Sequence, residues 1–236
     1  MTSPEPPVAV TVPERLVRRA GELAAAGGRR VLGITGPPGA GKSTLAEALA
    51  STLEADRPGS VVVVGMDGFH LRQEALVELG REHRKGAPDT FDVQAYIALL
   101  QRIRQAERDV LAPAFDRVVD DPVPDRILIP ASVPLVITEG NYLLLPEPGW
   151  TTVAELLDET WYVDIPDQVR LGQLTRRHVE FGMDEPAARA WAEGTDQRNA
   201  EKVQNARERA DLIITDFGAD PAGSDPAAAR VAMPEA

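Results

Sequence analysis

Hydrophobic residues along this chain alternate between two patterns: short unbroken apolar runs, and longer stretches in which apolar positions recur every three or four residues. The runs Val31-Leu32-Gly33-Ile34-Thr35, Val61 to Val64, Leu135 to Thr138, Trp161 to Asp164 and Leu212 to Ile214 predict strands, and the four-valine run has the composition of a strand buried on both faces. Between them, helical spacing predicts helices over residues 13–27, 45–53, 93–108, 152–158, 167–181, 185–193 and 196–209, with a helical turn or two between Leu71 and Gly80. Pro13 suits a first helical turn and Gly27-Gly28 a stop. Strands and helices in strict alternation imply right-handed crossovers and a parallel sheet covered on both faces, an α/β fold.

One segment breaks the alternation. Residues 110–134 are punctuated by proline and suggest two short strands, Val110 to Phe115 and Arg126 to Ile129, separated by Asp120-Asp121-Pro122. A small β-hairpin inserted outside the parallel sheet is expected there. Residues 1–12 and the Ala/Pro/Gly/Asp-rich stretch 218–236 show no periodicity and are expected to be disordered tails. That leaves one domain over residues 13–217.

Composition narrows the setting. A chain of 236 residues is long enough for one self-sufficient core. It has no cysteine, which excludes thiol chemistry and disulfides and fits a cytoplasmic location. No apolar stretch approaches the roughly 20 residues needed to cross a bilayer, and Met1 to Pro13 do not have the pattern of a secretion signal. No membrane association is expected. The net charge of −12 disfavours nucleic acid as a partner.

The chemistry centres on Gly36-Pro37-Pro38-Gly39-Ala40-Gly41-Lys42-Ser43-Thr44, a G-x-x-x-x-G-K-[ST] phosphate loop set between a strand and a helix. Its glycines let successive N–H groups turn inward, and the following helix directs its positive end to the same place. A nucleoside triphosphate should bind there, with Lys42 on the β- and γ-phosphates and the Ser43 hydroxyl on Mg²⁺. Two of the three lysines in the chain, set against 22 arginines, fall in stretches read here as functional: Lys42 and Lys85.

Candidate partners for the triphosphate lie beyond other strand ends, where open α/β sheets bind ligands. Asp67 follows the second strand, either as the base that takes a proton from an acceptor hydroxyl or as a turn cap. Gly68 beside it would leave room for a second substrate. Glu139 ends the third strand, where an acidic group reaches Mg²⁺ directly or through water. Arg176-Arg177-His178 form either a solvated helix face or a lid that carries an arginine onto the transferring phosphoryl group. His70 could hydrogen-bond an acceptor, whereas His83 has the context of a surface residue. No zinc-ligand spacing occurs.

Taken together, the phosphate loop, Met66-Asp67-Gly68-Phe69-His70, Arg84-Lys85-Gly86-Ala87-Pro88-Asp89-Thr90-Phe91-Asp92, Pro113-Ala114-Phe115-Asp116-Arg117 and Glu139-Gly140-Asn141-Tyr142-Leu143-Leu144 resemble the phosphoribulokinase/uridine kinase superfamily. The similarity runs over about residues 15–216. Its Asp-Gly-Phe and Lys-Gly-x-Pro-x-x-Phe-Asp stretches look most like bacterial pantothenate kinases and the small fructose transport system kinases. The resemblance implies a P-loop NTPase fold with a five-stranded parallel sheet and a helical, arginine-bearing lid, with ATP as donor and Mg²⁺ as cofactor. It also implies Asp67 as base, Ser43 and Glu139 at the metal, and Arg176 or Arg177 in the lid. Lys85, Phe91, Asp92, Phe115, Arg117 and Tyr142, together with His70, would line the acceptor pocket.

The chain departs from those relatives at one point. Uridine and pantothenate kinases tend to carry Tyr-Asp or Tyr-Ser-His after the proline, where this chain has Phe115-Asp116-Arg117, losing a phenol and gaining a cation. The acceptor is therefore expected among small metabolites generally: sugar, nucleoside or pantothenate-like. An ATPase or a nucleotide-binding protein without an acceptor is the alternative, and a GTP switch is disfavoured because no Asn-Lys-x-Asp motif occurs. Homodimers are common among proteins resembling this one.

Overall fold

The computed structural model describes residues 11–217. Seven strands form: β1 (Arg30–Thr35), β2 (Val61–Gly65), β3 (Val110–Asp116), β4 (Asp121–Ile129), β5 (Leu135–Glu139), β6 (Glu159–Val163) and β7 (Leu212–Ile214). Eight α-helices accompany them: α1 (Glu14–Ala25), α2 (Lys42–Asp56), α3 (Gln73–Glu78), α4 (Val93–Gln105), α5 (Trp150–Glu155), α6 (Asp167–Glu180), α7 (Glu185–Trp191) and α8 (Gln197–Gln204). Five strands make a parallel sheet in the order β2-β5-β1-β6-β7, while β3 and β4 pair antiparallel as a separate ribbon.

Alternation along each strand assigns its side chains to two layers. Leu32, Ile34, Leu135, Ile137, Trp161 and Val163 face α1 and α2, packing on Leu16, Ala20, Leu45 and Leu49. On the other face, Val31, Val64, Val136 and Tyr162 meet α4, α5 and the base of the hairpin through Tyr96, Leu100, Ile103, Val110, Ile129 and Trp150. This second layer holds a buried polar chain. The Thr138 hydroxyl donates to the Val64 carbonyl at 2.9 Å, so the Tyr96 hydroxyl, 2.6 Å from Thr138 Oγ1, donates to that threonine oxygen. The chain ties α4 to the two strands that carry the acidic site residues.

Strand register decides what meets at the sheet's C-terminal edge. Ile34 lies opposite Glu139 across β1 and β5, and Gly65 lies opposite Glu139 across β2 and β5. The phosphate loop, Glu139 and Asp67 therefore leave three neighbouring strands at one level.

The structure also departs from the sequence expectations. β2 is an edge strand, so Val62 and Val63 are half-buried rather than enclosed on both faces. The hairpin turn is Arg117 to Asp120, and β4 runs through Pro122 and Pro124, residues an edge position accommodates because no second neighbour needs their N–H. The two helices expected after residue 185 are one continuous helical run, joined by a π-helical turn at Ala192–Asp196. Val12 is buried against the α1 layer. The disorder expected for residues 1–10 and 218–236 concerns segments outside the described residues. Among the described residues no helix is long and apolar enough to cross a membrane.

Candidate active site

The phosphate loop has the backbone its motif requires. Gly36, Gly39 and Gly41 have φ of 146°, 79° and 87°, a region that side chains disfavour. Space is short as well: a Cβ on Gly36 would stand 2.6 Å from the Val163 carbonyl oxygen, and one on Gly39 would stand 2.6 Å from Leu174 Cγ and 3.0 Å from the Arg170 carbonyl oxygen. Pro37, Pro38 and Ala40 are buried, Ser43 is half-buried, and Thr44 is exposed on the first turn of α2.

Lys42 is buried and donates from Nζ to the Pro37 carbonyl at 3.0 Å, so the ammonium arches back over the loop. Burial pushes its pKa down, with Glu139 and then Asp67 opposing. The Glu139 carboxyl is pushed up, first by burial and then by Asp67, while Lys42 and the Ser43 hydroxyl counter the shift. Each charge is the other's main compensation in a poorly hydrated place.

One hydroxyl and one carboxylate beside a phosphate cradle suit Mg²⁺, which keeps several waters and takes phosphate oxygens as ligands. Among the described residues no cluster of three or more His, Cys, Asp or Glu side chains could make an all-protein cage. Ser43 and Glu139 would thus hold the ion, and it would supply charge neutralisation on the phosphates.

A cleft of about 450 Å³ opens beside the loop. It collects Pro38 from the loop, Asp67 and His70 from the turn after β2, Lys85 and Phe91 from the 81–92 segment, Phe115 and Arg117 from the hairpin, and Arg177 from α6. Asp67 is about one-third exposed, with Arg117 Nη2 3.8 Å from its Oδ2. His70 Nδ1 lies 2.9 Å from the Asp67 carbonyl oxygen; a carbonyl only accepts, so Nδ1 carries the proton. Burial lowers the pKa of His70, which keeps the ring neutral and leaves Nε2 as an acceptor. The ring lies 4.1 Å from Phe91 and 4.9 Å from Phe115, centroid to centroid. Lys85 Nζ binds the Asp120 carboxylate at 2.7 Å and sits 5.4 Å from the Phe115 centroid.

Four expectations are corrected. Asp92 does not enter the cleft: it is the exposed N-cap of α4, accepting from the Ala95 N–H at 2.9 Å. Tyr142 is buried behind the wall, where its hydroxyl donates to the Gly86 carbonyl at 2.6 Å and holds the loop that carries Lys85. Arg176 is exposed and borders a separate hollow with Gly172 and Val179, whereas Arg177 faces the cleft. Gly68 makes room for the protein, not a substrate, because a Cβ there would stand 2.6 Å from the Pro113 carbonyl oxygen of the hairpin.

Some site residues were not anticipated. Arg170 is fully buried and donates to the Pro38 carbonyl at 3.3 Å, to Asp167 Oδ1 at 3.0 Å and to Gln197 Oε1, so it joins α6 and α8 to the loop. Asp196 reaches His178 Nε2 at 2.8 Å, and Asn199 also lines the cleft. Helical geometry held the clue. At 100° per residue, position 177 lies roughly 20° from position 170 around α6 and position 176 roughly 120° away, so the face that meets the loop includes Arg177 and leaves out Arg176. A second hollow of about 390 Å³ borders Pro37, between Tyr162, Ile165, Pro166, Gln204 and Thr215; it follows the ends of β6 and β7.

A phosphate loop, a carboxylate on the neighbouring strand, and helices α6 and α8 tied to the loop by Arg170, on a parallel sheet ordered β2-β5-β1-β6-β7, define a P-loop kinase. The model of the Phosphoribulokinase / Uridine kinase family matches residues 31–219. The chain belongs to that family, whose members use ATP. Among its relatives, the uncharacterized protein YggC of Escherichia coli K12 is 36% identical over 190 residues, 79% of this chain and 77% of that protein. A pantothenate kinase of Leifsonia xyli subsp. xyli is 29% identical over 208 residues, 78% of this chain and 65% of the relative. A crystal structure from Silicibacter sp. TM1040, described as a "putative fructose transport system kinase", superposes with a TM-score of 0.76 at 34% identity, covering 84% of this chain and 98% of that one.

Proposed function

We propose that this protein transfers the γ-phosphoryl group of ATP, with Mg²⁺, to a hydroxyl of a small metabolite held in the 450 Å³ cleft, the metabolite being sugar-, nucleoside- or pantothenate-like. The observation that carries this reading is the position of Asp67. Its carboxylate leaves β2 at the level where β1 delivers the phosphate loop and β5 delivers Glu139, and it also lines the cleft. A hydroxyl bound against it faces the phosphate end of the nucleotide.

In the proposed reaction the acceptor oxygen forms a bond to the γ-phosphorus as the bond to the bridging oxygen breaks, leaving ADP. Asp67 takes the hydroxyl proton. Lys42 and Arg177 offset charge on the transferring group, and little covalent work remains for the protein beyond positioning. Neutral His70 offers Nε2 to a second acceptor group, and the hollow beside Pro37 provides space for the nucleoside end of ATP. The names of the Leifsonia and Silicibacter relatives support a small-molecule acceptor.

The test is ADP release by the purified protein with ATP and Mg²⁺ against a panel of sugars, nucleosides, pantothenate and vitamin-like alcohols, with mass spectrometry of the acceptor. Release stimulated by an acceptor that gains a phosphate is expected. Vigorous release indifferent to every acceptor would instead favour an ATPase.

A further inference from the structure

Hydrogen bonding divides the basic side chains of the cleft into two kinds. Lys85 spends its ammonium within the protein, on the Asp120 carbonyl at 2.6 Å and the Asp120 carboxylate at 2.7 Å. His178 is bound to Asp196. Arg117 and Arg177 differ: among the described residues neither guanidinium makes a side-chain hydrogen bond, and Arg177 has no ion-pair partner within 4.0 Å. Each carries five N–H donors. The nearest carboxylate to Arg117 is Asp67 at 3.8 Å, beyond hydrogen-bonding distance.

Two guanidiniums without a hydrogen-bonding partner in one cleft repel each other, and the pKa of Arg177 is depressed by burial first and by Arg117 next. Such an arrangement is stabilised by anions arriving from outside. The two arginines occupy different positions. Arg177 is within electrostatic reach of Lys42 and Glu139, on the side of the transferring phosphoryl group. Arg117 projects from the hairpin turn beside Asp67, with Phe181 at the C-terminal end of α6 5.8 Å away under its guanidinium, on the acceptor side. Planar guanidinium forks match carboxylates and phosphates with two parallel hydrogen bonds.

We infer that the acceptor is itself an anion, a small hydroxylated molecule bearing a carboxylate or a phosphate that Arg117 binds while its hydroxyl meets Asp67. This inference rests on the kinase reading above and narrows its acceptor class. Neutral sugars and nucleosides leave the Arg117 fork unfilled.

Matched probe pairs that differ only in the anionic group provide the test: D-glycerate and glycerol, D-fructose 1-phosphate and D-fructose, D-ribose 5-phosphate and D-ribose, pantothenate and pantothenyl alcohol. Coupled ADP release is measured for wild-type protein, Arg117→Gln and Arg117→Lys, with melting temperature as a check on folding. In whichever pair is phosphorylated, kcat/KM for the anionic member should exceed that for the neutral one at least tenfold. Arg117→Gln should collapse that ratio towards one, mainly through KM, and Arg117→Lys should keep part of it. A neutral member used as well as its anionic partner, or a ratio indifferent to Arg117→Gln, overturns the inference and leaves the kinase reading standing. Acceptor-independent ADP release with all eight compounds removes the kinase reading and the inference with it.

Discussion

Around the phosphate loop, the groups that would touch ligand are backbone N–H groups held by three glycines of positive φ, one buried lysine and one hydroxyl, all within a single stretch of sequence. Across the cleft, the groups facing an acceptor come from the turn after β2, the 81–92 segment, the hairpin and α6, and they are side chains that range from buried Phe91 to half-buried His70, Lys85 and Arg177. The first region would recognise a shape common to every triphosphate. The second is set by the packing of separate elements, so a change in one of them alters what is recognised while the donor end stays as it is.

Lys42→Ala should have the largest effect, because it removes the loop's cation and leaves Glu139 without its compensating charge. Loss of ATP-induced thermal stabilisation, with turnover down by roughly 10³ or more, is expected; retained stabilisation would mean the two regions do not divide as described. Asp67→Asn should lower turnover by roughly 10² to 10⁴ and leave ATP affinity nearly unchanged, as nucleotide titration would show. Arg177→Ala should cost on the order of 10² to 10³ in kcat, while Arg176→Ala stays within about twofold; equal losses would contradict the helix-face assignment. The smallest effect is expected for Asp92→Ala, a loss of about 1 kcal/mol from the α4 N-cap, read as a lower midpoint in urea with an unaltered KM for the acceptor.

The same division explains what the sequence could disclose. Every strand of the parallel sheet was legible, because runs such as Leu135 to Ile137 have few alternatives to a buried strand, and the phosphate loop was legible because its function is contiguous. Asp67 and Glu139 followed from their places at strand ends. Asp92 and Tyr142 were misplaced because a motif gives neighbours in sequence, whereas the cleft wall selects by direction: Phe91 points in, Asp92 turns back to cap α4, and Tyr142 supports Gly86 from behind. Gly68 was misread because the hairpin that fills its space lies more than forty residues downstream. Arg170 carries no local signature of burial; its partners Pro38 and Gln197 are brought to it only by the fold.

The π-helical turn at Ala192–Asp196 acts as a phase adjuster. A π turn accommodates one residue more than an α turn, so the side chains beyond it are rotated by about 100° from where an uninterrupted helix would put them. Asp196, beside His178, and Asn199, in the cleft wall, owe their bearings to that extra residue. A one-residue deletion there, retaining α7 and α8 as helices, would swing both away from the cleft and bring neighbouring positions to the wall, a change in binding specificity that no single substitution reproduces.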